Sequence, residues 1–395
     1  MSDVVSQRRP RDRKQQIVAA AARQFERAGF HDVAVADIAA EVGVSASAIY
    51  RHFSGKSGLL AAAAEQEVAF LERAYGAAGD LPCLLDDAAG LLLRADRPGS
   101  VWQGGQVFLD PARAAELGQR HRAALEPLRR AVLAQAPDTS DADADVLTWA
   151  VHAVLGTGRA FERARVDRDR ARRLMADAAA AVAGLGRLVP PGAAAAQPGT
   201  PAGGLRPASR REAALAAAVR LFAERGFHAV GMDDIGAAAG ISGPTLYHHF
   251  PRKSALLAHV TTRCLDAMHF DLAGILSATG DPAEALDRAL GSLVRINVAQ
   301  GDALAALFSE VVHVPQEERA PIRRMQQDYV DEWAALLAAC RPELTRSDTH
   351  ALVRSTQTVM NRMRLRLPLA EADQRAALVR IGRAVLGTPS ADRRR

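Results

Sequence analysis

The chain has 395 residues, which is enough for two or more domains that each bury a full hydrophobic core. Apolar residues make up 49% of the chain, aromatic residues only 5%, and alanine dominates. Since alternating runs of β-branched residues are few, this composition favours helices throughout. The net charge of +5 suits an anionic partner, although a surplus of arginine also follows from a GC-rich genome.

Neither secretion nor membrane insertion is expected. The first fifteen residues are polar and basic, so they do not form the apolar segment of a signal peptide. No uncharged apolar run reaches the ~18 residues that a membrane span needs. The three cysteines, Cys83, Cys264 and Cys340, have neither CxxC nor zinc-site spacing. We therefore expect a cytoplasmic protein with reduced thiols, no membrane partner and no metal or other cofactor.

A basic segment, Arg8–Lys14, leads into the first predicted helix. It could follow the phosphates or enter the minor groove of DNA, whereas many basic termini are merely solvated. The helix behind it places Ile17, Ala21 and Phe25 on one face and ends at Gly29. Contact with DNA is favoured because the next pattern is a helix-turn-helix.

Two short helices joined by a tight turn are predicted over Asp37–Phe53. Gly43 ends the first helix, because glycine adopts the left-handed conformation that a Cβ disfavours. Ser45 is a suitable N-cap for the second helix, which turns Ile49 and Phe53 inward. This arrangement is typical of proteins that insert a short recognition helix into the major groove.

The same pattern returns over Asp234–Phe250 at a constant offset of 197 residues, from Tyr50 to Tyr247. Only three of the 50 basic residues are lysines, and two of them, Lys56 and Lys253, follow the two recognition helices at the same offset. The run Ser209-Arg210-Arg211-Glu212 predicts a capping box that opens the second copy.

A pair of packed helices without a nucleic-acid role is the alternative for either copy taken alone. Tyr50 and Tyr247 favour DNA binding, because each lies on the solvent side of a helix whose other face is apolar. A phenol hydroxyl in that place can reach a phosphate, and phosphate contacts fix the register of a protein on the duplex.

The remaining sequence predicts helices without a catalytic motif. Asp138–Asp145 is interpreted as the N-terminal cap of a helix, not as a metal site. Arg354 and its neighbours Arg362, Arg364 and Arg366 could meet an acidic ligand group, although a solvated or salt-bridged face is favoured. The chain has no Walker loop, GxSxG or HExxH motif, so we do not expect an enzyme.

The repeated residues resemble the TetR family of bacterial transcriptional regulators, and the doubled arrangement resembles tandem TetR repressors of actinobacterial lipid operons. The resemblance covers about 60 residues per copy. In the first copy it rests on Gly29-Phe30, Asp37-Ile38-Ala39, Gly43-Val44-Ser45, Ile49–Phe53 and Lys56–Leu60, and in the second on Gly226-Phe227, Asp234-Ile235, Gly240-Ile241-Ser242, Leu246–Phe250 and Lys253–Leu257.

The resemblance implies an all-α protein with two TetR-like units in one chain. Each unit would have a helix-turn-helix domain and a helical ligand-binding domain, and the two would pack as a pseudodimer through helices 142–187 and 347–387. The expected divisions are a first helix-turn-helix domain at 1–65, a first helical domain at 66–188, a linker rich in Pro, Gly and Ala at 189–207, a second helix-turn-helix domain at 208–262, a second helical domain at 263–388 and a basic tail at 389–395.

The candidate DNA contacts lie at or near the two helix-turn-helix motifs, and all but Ala48 are basic or hydrogen-bonding residues. They are Arg8, Arg9, Arg11, Lys14, Ser45, Ser47, Ala48, Tyr50, Arg51 and Lys56 in the first copy, and Arg210, Arg211, Ser242, Thr245, Tyr247, His248 and Lys253 in the second. Aromatic residues that could line an effector pocket, with core packing as the alternative, are Trp102, Phe108, Phe308 and Trp333.

The expected function is that of a ligand-responsive transcriptional repressor, which binds a double-stranded DNA operator and a small apolar or acyl-type effector. The two recognition helices carry different exposed residues, which predicts an operator with two unlike half-sites. The alternative is a ligand-sensing or scaffold protein in which only one motif binds DNA, because Gly243-Pro244 makes the second recognition helix suspect. A further homodimer of the whole chain also stays open.

Overall fold

The computed structural model describes residues 10–76, 79–94, 101–188, 207–364, 366–367 and 369–388. Within helices, a few side chains, including those of Arg11 and Phe308, also lie outside the described part. The regular secondary structure of the described residues is helical, which confirms the predicted all-α class.

Eighteen α-helices are described in chain order. They are α1 (Pro10–Asp32), α2 (Val35–Glu41), α3 (Ala46–Tyr50), α4 (Gly55–Tyr75), α5 (Leu81–Leu92), α6 (Trp102–Gly105), α7 (Pro111–Gln135), α8 (Asp141–Leu155), α9 (Gly158–Arg163), α10 (Arg168–Ala183), α11 (Arg210–Arg225), α12 (Met232–Ala239), α13 (Gly243–His249), α14 (Lys253–Ala278), α15 (Pro282–Glu310), α16 (Gln316–Cys340), α17 (Arg346–Met363) and α18 (Glu371–Leu386).

The helices form two compact units. The first contains the described residues of Met1–Gly79 and Arg94–Leu128, and the second contains Asp80–Leu93 and the described residues of Arg129–Arg395. The predicted domain boundaries follow the sequence repeat, whereas these units follow packing. None of the described helices is both long enough and apolar enough to cross a membrane.

The core of the first unit forms around α1. Ile17, Ala21 and Phe25 are buried on its inner face, as their spacing predicts, and meet Ile38 of α2 and Ile49 of α3. The break predicted at Gly29 is present as a kink, with φ of 82°, before the helix continues to Asp32.

The second unit repeats this core and adds a set of four helices in mutual contact. Leu215, Phe222, Ile235, Leu246 and Phe250 form the core of the second helix-turn-helix. Elsewhere in the unit α8 contacts α10, α10 contacts α18, α18 contacts α17, and α17 contacts α8. The four helices therefore form a closed arrangement with two helices from each half of the sequence.

Helix α17 begins at a buried carboxylate that joins the two halves of the sequence. Asp348 is 1% exposed and accepts the backbone N–H of Thr345 at 3.0 Å, while the Thr345 hydroxyl accepts the N–H of Asp348 at 3.2 Å. Arg170 of α10 donates to the same carboxylate through Nε and Nη2, each at 3.3 Å. One side chain thus caps α17 and anchors α10.

Several local predictions need correction. Ser209 is the N-cap of α11 by position, but its side chain accepts no capping hydrogen bond. Glu212 does not complete a capping box and instead forms an ion pair with Arg263 of α14. The helices expected over 142–187 are three in number, α8, α9 and α10.

The aspartates at the start of α8 belong to its cap and to an ion-pair cluster. Asp143 is buried and accepts the Ser140 hydroxyl at 2.7 Å and the Leu188 N–H at 2.9 Å. Asp141 and Asp145 both pair with Arg129. The capping interpretation of this segment therefore agrees with the structure at Asp143.

We predict that Asp348→Ala lowers the free energy of unfolding by about 1–3 kcal/mol, because it removes a cap and leaves Arg170 without its carboxylate. Asp373→Ala is the matched control, since Asp373 also lies in the first turn of a helix but is only half-buried. Its effect should stay within about 0.5 kcal/mol. Urea unfolding followed by far-UV circular dichroism measures both, and equal losses would contradict the role assigned to Asp348.

Candidate nucleic-acid interface

The turn of the first helix-turn-helix is built by backbone hydrogen bonds around Gly43, whose φ is 66°. The N–H of Gly43 donates to the Ala40 carbonyl at 3.2 Å, and the N–H of Val44 donates to the Ala39 carbonyl at 2.9 Å. Ser45 then caps α3, because its Oγ accepts the N–H of Ala48 at 3.2 Å. Gly43 and Ser45 therefore have the local roles that the sequence predicts.

The first recognition helix leaves a polar face in solvent. Tyr50 is 58% exposed, and Ser45, Ser47 and Arg51 are exposed beside it. Ala48 is half-buried and presents only a methyl group. Ile49 is fully buried on the opposite face, so packing fixes the direction in which Tyr50 and Arg51 project.

The second recognition helix forms despite its Gly-Pro pair. Pro244 lies in the first turn of α13, where its missing N–H removes no intrahelical hydrogen bond. Gly240 has φ of 69° and ends α12 as Gly43 ends α2. Tyr247 is 51% exposed, His248 is exposed, and the hydroxyls of Ser242 and Thr245 lie 2.8 Å apart.

The aspartate that opens each motif has a structural role that sequence reasoning missed. Asp37 accepts the backbone N–H of Ala34 at 3.3 Å, and Asp234 accepts that of Gly231 at 2.7 Å. In both copies the aspartate is the third residue of its helix and bonds back to the N-cap position. The three-residue spacing between N-cap and aspartate was the available signal.

The repeated lysines lie against the phenylalanine of the preceding Gly-Phe pair. The Nζ atom of Lys56 is 4.7 Å from the ring centre of Phe30, and that of Lys253 is 4.3 Å from Phe227. Lys253 also donates to the carbonyls of Phe227 and Val230, the second at 2.6 Å. These contacts hold the loop before α12 in place, and contact of either lysine with DNA stays a prediction.

Arg211, another candidate contact, is held in the second unit by an imidazole. Its Nη2 lies 2.9 Å from Nε2 of His259, and its guanidinium lies 5.3 Å from the ring centre of Phe250. Since arginine can only donate, Nε2 of His259 accepts this hydrogen bond in its unprotonated form. Burial and the positive charges of Arg211 and Arg263 lower the pKa of His259.

Other candidate residues divide between solvent, core and the part that is not described. Arg210 and Lys14 are exposed, with Lys14 5.5 Å from the Phe53 ring centre. Arg8, Arg9, the side chain of Arg11 and the side chain of Phe308 lie outside the described residues.

The described pocket candidates pack inside the protein. Trp102 is buried in the core of the first unit, and its backbone N–H donates to the Glu67 carboxylate at 2.9 Å. Phe108 is half-buried and stacks on Phe30 at 4.7 Å, and Trp333 is fully buried. These positions match the core interpretation that was open for them, and a role in binding an effector stays a prediction.

Comparison with known proteins matches the repeat. The model for bacterial regulatory proteins of the tetR family matches residues 17–63 and again 214–260, and that for the C-terminal domain of tetracyclin repressor-like proteins matches 279–364. An uncharacterized HTH-type transcriptional regulator of Mycobacterium tuberculosis is 30% identical over 167 residues, which cover 42% of this chain and 79% of that protein. The chain belongs to the TetR family.

Two other relatives have described functions. The HTH-type transcriptional activator FasR of Mycolicibacterium smegmatis is 38% identical over 96 residues, covering 23% of this chain and 44% of FasR. The HTH-type transcriptional repressor KstR2 of Rhodococcus jostii is 30% identical over 131 residues, covering 33% of this chain and 64% of KstR2. The chain thus spans less than two thirds of either relative. The families and relatives that match are transcriptional regulators and not enzymes, as the sequence predicts.

We predict that acidification from pH 7.5 to 5.5 destabilises the second helix-turn-helix through His259. Because folding lowers the pKa of this imidazole, the unfolded chain binds the proton more readily, and stability is lost as the pH falls through the ordinary histidine range. His259→Gln keeps an acceptor for Arg211 but does not titrate. The acid-induced fall in melting temperature should be smaller in this variant than in the wild type. The corresponding difference in the free energy of unfolding should be less than about 1 kcal/mol, because the site is partly solvated. Equal falls in both proteins would contradict the prediction.

Proposed function

We propose that the protein is a sequence-specific transcriptional repressor in which both helix-turn-helix motifs of one chain bind one DNA operator. The observation that carries this proposal is the pair of recognition helices that are buried at Ile49 and Leu246 and exposed at Tyr50 and Tyr247. Both tyrosines stand at the same place in the repeat. An exposed tyrosine on a helix whose other face is buried does not contribute to core packing, whereas its hydroxyl can donate to a DNA phosphate.

The side chains around these tyrosines differ between the two motifs. Arg51 of the first motif can donate two parallel hydrogen bonds to O6 and N7 of guanine, and His248 takes its place in the second. Serine and alanine precede Tyr50, whereas Gly243, Pro244 and Thr245 stand in the corresponding part of α13. Different base-contacting groups require different base pairs, so we expect a non-palindromic operator.

The arrangement of α8, α10, α17 and α18 supports a pseudodimer within one chain. In the TetR family two subunits dimerise through their last two helices, and in this chain the last two long helices of each half contact one another in a closed set of four. The ion pair between Arg170 and Asp348 and the hydrogen bond from Arg380 to the Leu185 carbonyl, at 3.0 Å, both join the halves. Two motifs that read successive major grooves must lie about 34 Å apart, which a covalently joined pair can achieve without a second chain.

An apolar groove between α14 and α15 supports the proposed apolar or acyl-type effector. It encloses about 690 Å³ and is lined by Met268, Ile275 and Ile296, with Arg288 and Arg295 among its polar residues. Aliphatic walls would hold a hydrocarbon chain, while an arginine could meet an acidic end group. An effector with different affinities for two arrangements of the motifs would shift the DNA-binding equilibrium.

A protein in which only the first motif binds DNA is the second candidate. Gly243 has no side chain and Pro244 has no hydrogen-bonding group, so neither can read a base edge on the surface of α13. This candidate predicts that changes on α13 leave DNA affinity unchanged, so variants of the two motifs distinguish it from the first.

We predict that Tyr50→Phe and Tyr247→Phe each weaken operator binding about 3- to 10-fold, because each removes one hydrogen bond to a phosphate. Tyr329→Phe, which removes the same hydroxyl from the buried face of α16, should leave the affinity unchanged. Fluorescence anisotropy with a labelled operator duplex at fixed salt measures all three. A loss in Tyr50→Phe together with wild-type affinity in Tyr247→Phe would favour the single-motif candidate.

We predict that selection from random duplex DNA returns a site with two unlike halves. A variant in which α13 carries the side chains of α3, with Gly243→Ala, Pro244→Ser, Thr245→Ala and His248→Arg, should instead select an inverted repeat. The exchange alters exposed or half-buried positions and leaves the buried Leu246 in place. Selection of a perfect inverted repeat by the wild-type protein would contradict the reading of two half-sites by unlike motifs.

A further inference from the structure

A polar cleft of about 650 Å³ lies in the second unit, and no residue of α13 lines it. One wall is the end of α9, which belongs to the first half of the sequence, and the other walls are α16 and α17 of the second half. None of its lining residues is acidic. The lining includes four arginines, a histidine and a glutamine, which are Arg163, Arg323, Arg346, Arg354, His350 and Gln327.

The positive charges of this cleft are poorly balanced. Among the residues that the structure describes, no carboxylate lies within 4.0 Å of the guanidinium groups of Arg163, Arg323 or Arg354. Asp331, an acid beside the cleft, is 3.9 Å from Arg346 and already accepts a hydrogen bond from Nε2 of His350 at 2.8 Å. Arg129 and Arg383 of the same unit, by contrast, have carboxylate partners.

The environment of Arg354 in the cleft is unfavourable for its positive charge. Its side chain is partly buried in α17, and Nη2 donates to Oε1 of Gln327, a neutral group that cannot balance the charge. Burial and the positive charge of Arg163 lower the pKa of this guanidinium, and the smaller opposing effect of Asp331 does not compensate for them. A desolvated cation next to another cation is unfavourable, and a bound anion would relieve both effects.

The arrangement of these groups suits an anion with several oxygens. Arg346, His350 and Arg354 are spaced four residues apart and therefore lie along one face of α17, with Arg323 opposite on α16. The planar guanidinium group donates two parallel hydrogen bonds that match phosphate oxygens. Gln326 and Ser347 add neutral hydrogen-bonding groups to the wall. The volume admits a ligand of nucleotide size.

We propose that this cleft is a binding site for a small phosphorylated molecule carrying two or more negative charges. Its ligand contacts both halves of the sequence, because Arg163 comes from one and Arg323, Arg346 and Arg354 come from the other. As an effector site it rests on the proposed DNA-binding function, and its occupancy changes operator affinity. Phosphate binding itself does not depend on that function. The site is separate from the apolar groove between α14 and α15.

Inorganic pyrophosphate is the first probe, titrated into the full-length protein without DNA at constant ionic strength in a calorimeter. We expect one site per chain, with binding at least 10-fold weaker in both Arg323→Gln and Arg354→Gln. The control is Arg324→Gln, because Arg324 is also exposed on α16 but does not line the cleft, so its affinity should stay within 2-fold of wild type. Pyrophosphate binding that is equally strong in all three variants, or absent from the wild type, would overturn the proposal.

Two further arms identify the source of the phosphate and the consequence of binding. Adenosine diphosphate that binds more tightly than pyrophosphate, with the same dependence on Arg323, indicates a nucleotide-like ligand, and equal affinities indicate that the phosphates alone are recognised. A change in operator affinity with pyrophosphate that Arg323→Gln abolishes supports the effector role. Intact pyrophosphate binding with unchanged operator affinity overturns the effector role and leaves both the phosphate site and DNA binding standing. Failure of the wild-type protein to bind any selected duplex would instead count against the proposed function.

Discussion

Recognition helices of five and seven residues cannot remain folded in water by themselves, because isolated helices shorter than ~12–15 residues are marginal. Their order depends on one buried residue at the centre of each, Ile49 in α3 and Leu246 in α13. Burial of these side chains against α1 and α11 fixes the rotation of each recognition helix. The exposure of Tyr50 and Tyr247, and with it the whole polar face offered to DNA, follows from that rotation.

The cores that hold these helices extend beyond the helix-turn-helix motifs. In the first unit, Val101, Trp102 and Leu117 share a core with Ile49, and Glu67 accepts the N–H groups of Val101 and Trp102 at 2.8 and 2.9 Å. In the second unit, Val311, Val314 and Ile322 share a core with Leu246. Movement of these flanking segments would therefore disturb the packing that positions the recognition helices.

The helix-turn-helix motifs were predictable because their turns and caps depend on contacts between residues close in sequence. Contacts between residues distant in sequence were missed. Gly43 and Ser45 act within four residues of their own positions, so the sequence reveals their roles. The carbonyl partners of Lys253, Phe227 and Val230, lie more than twenty positions earlier in the chain, so its role in holding that loop is not visible in the sequence. Arg163 and Arg354 both line the basic cleft although they are far apart in sequence, because α9 packs against α17.

The most direct test of one chain acting through two unlike motifs is the stoichiometry of its complex with the selected operator. Hydroxyl-radical footprinting gives the protected length, and analytical ultracentrifugation gives the mass of the complex. One chain per duplex, with two protected and unlike half-sites about one helical turn apart, is the expected result. Two chains per duplex protecting about twice that length, each through a single motif, would contradict it.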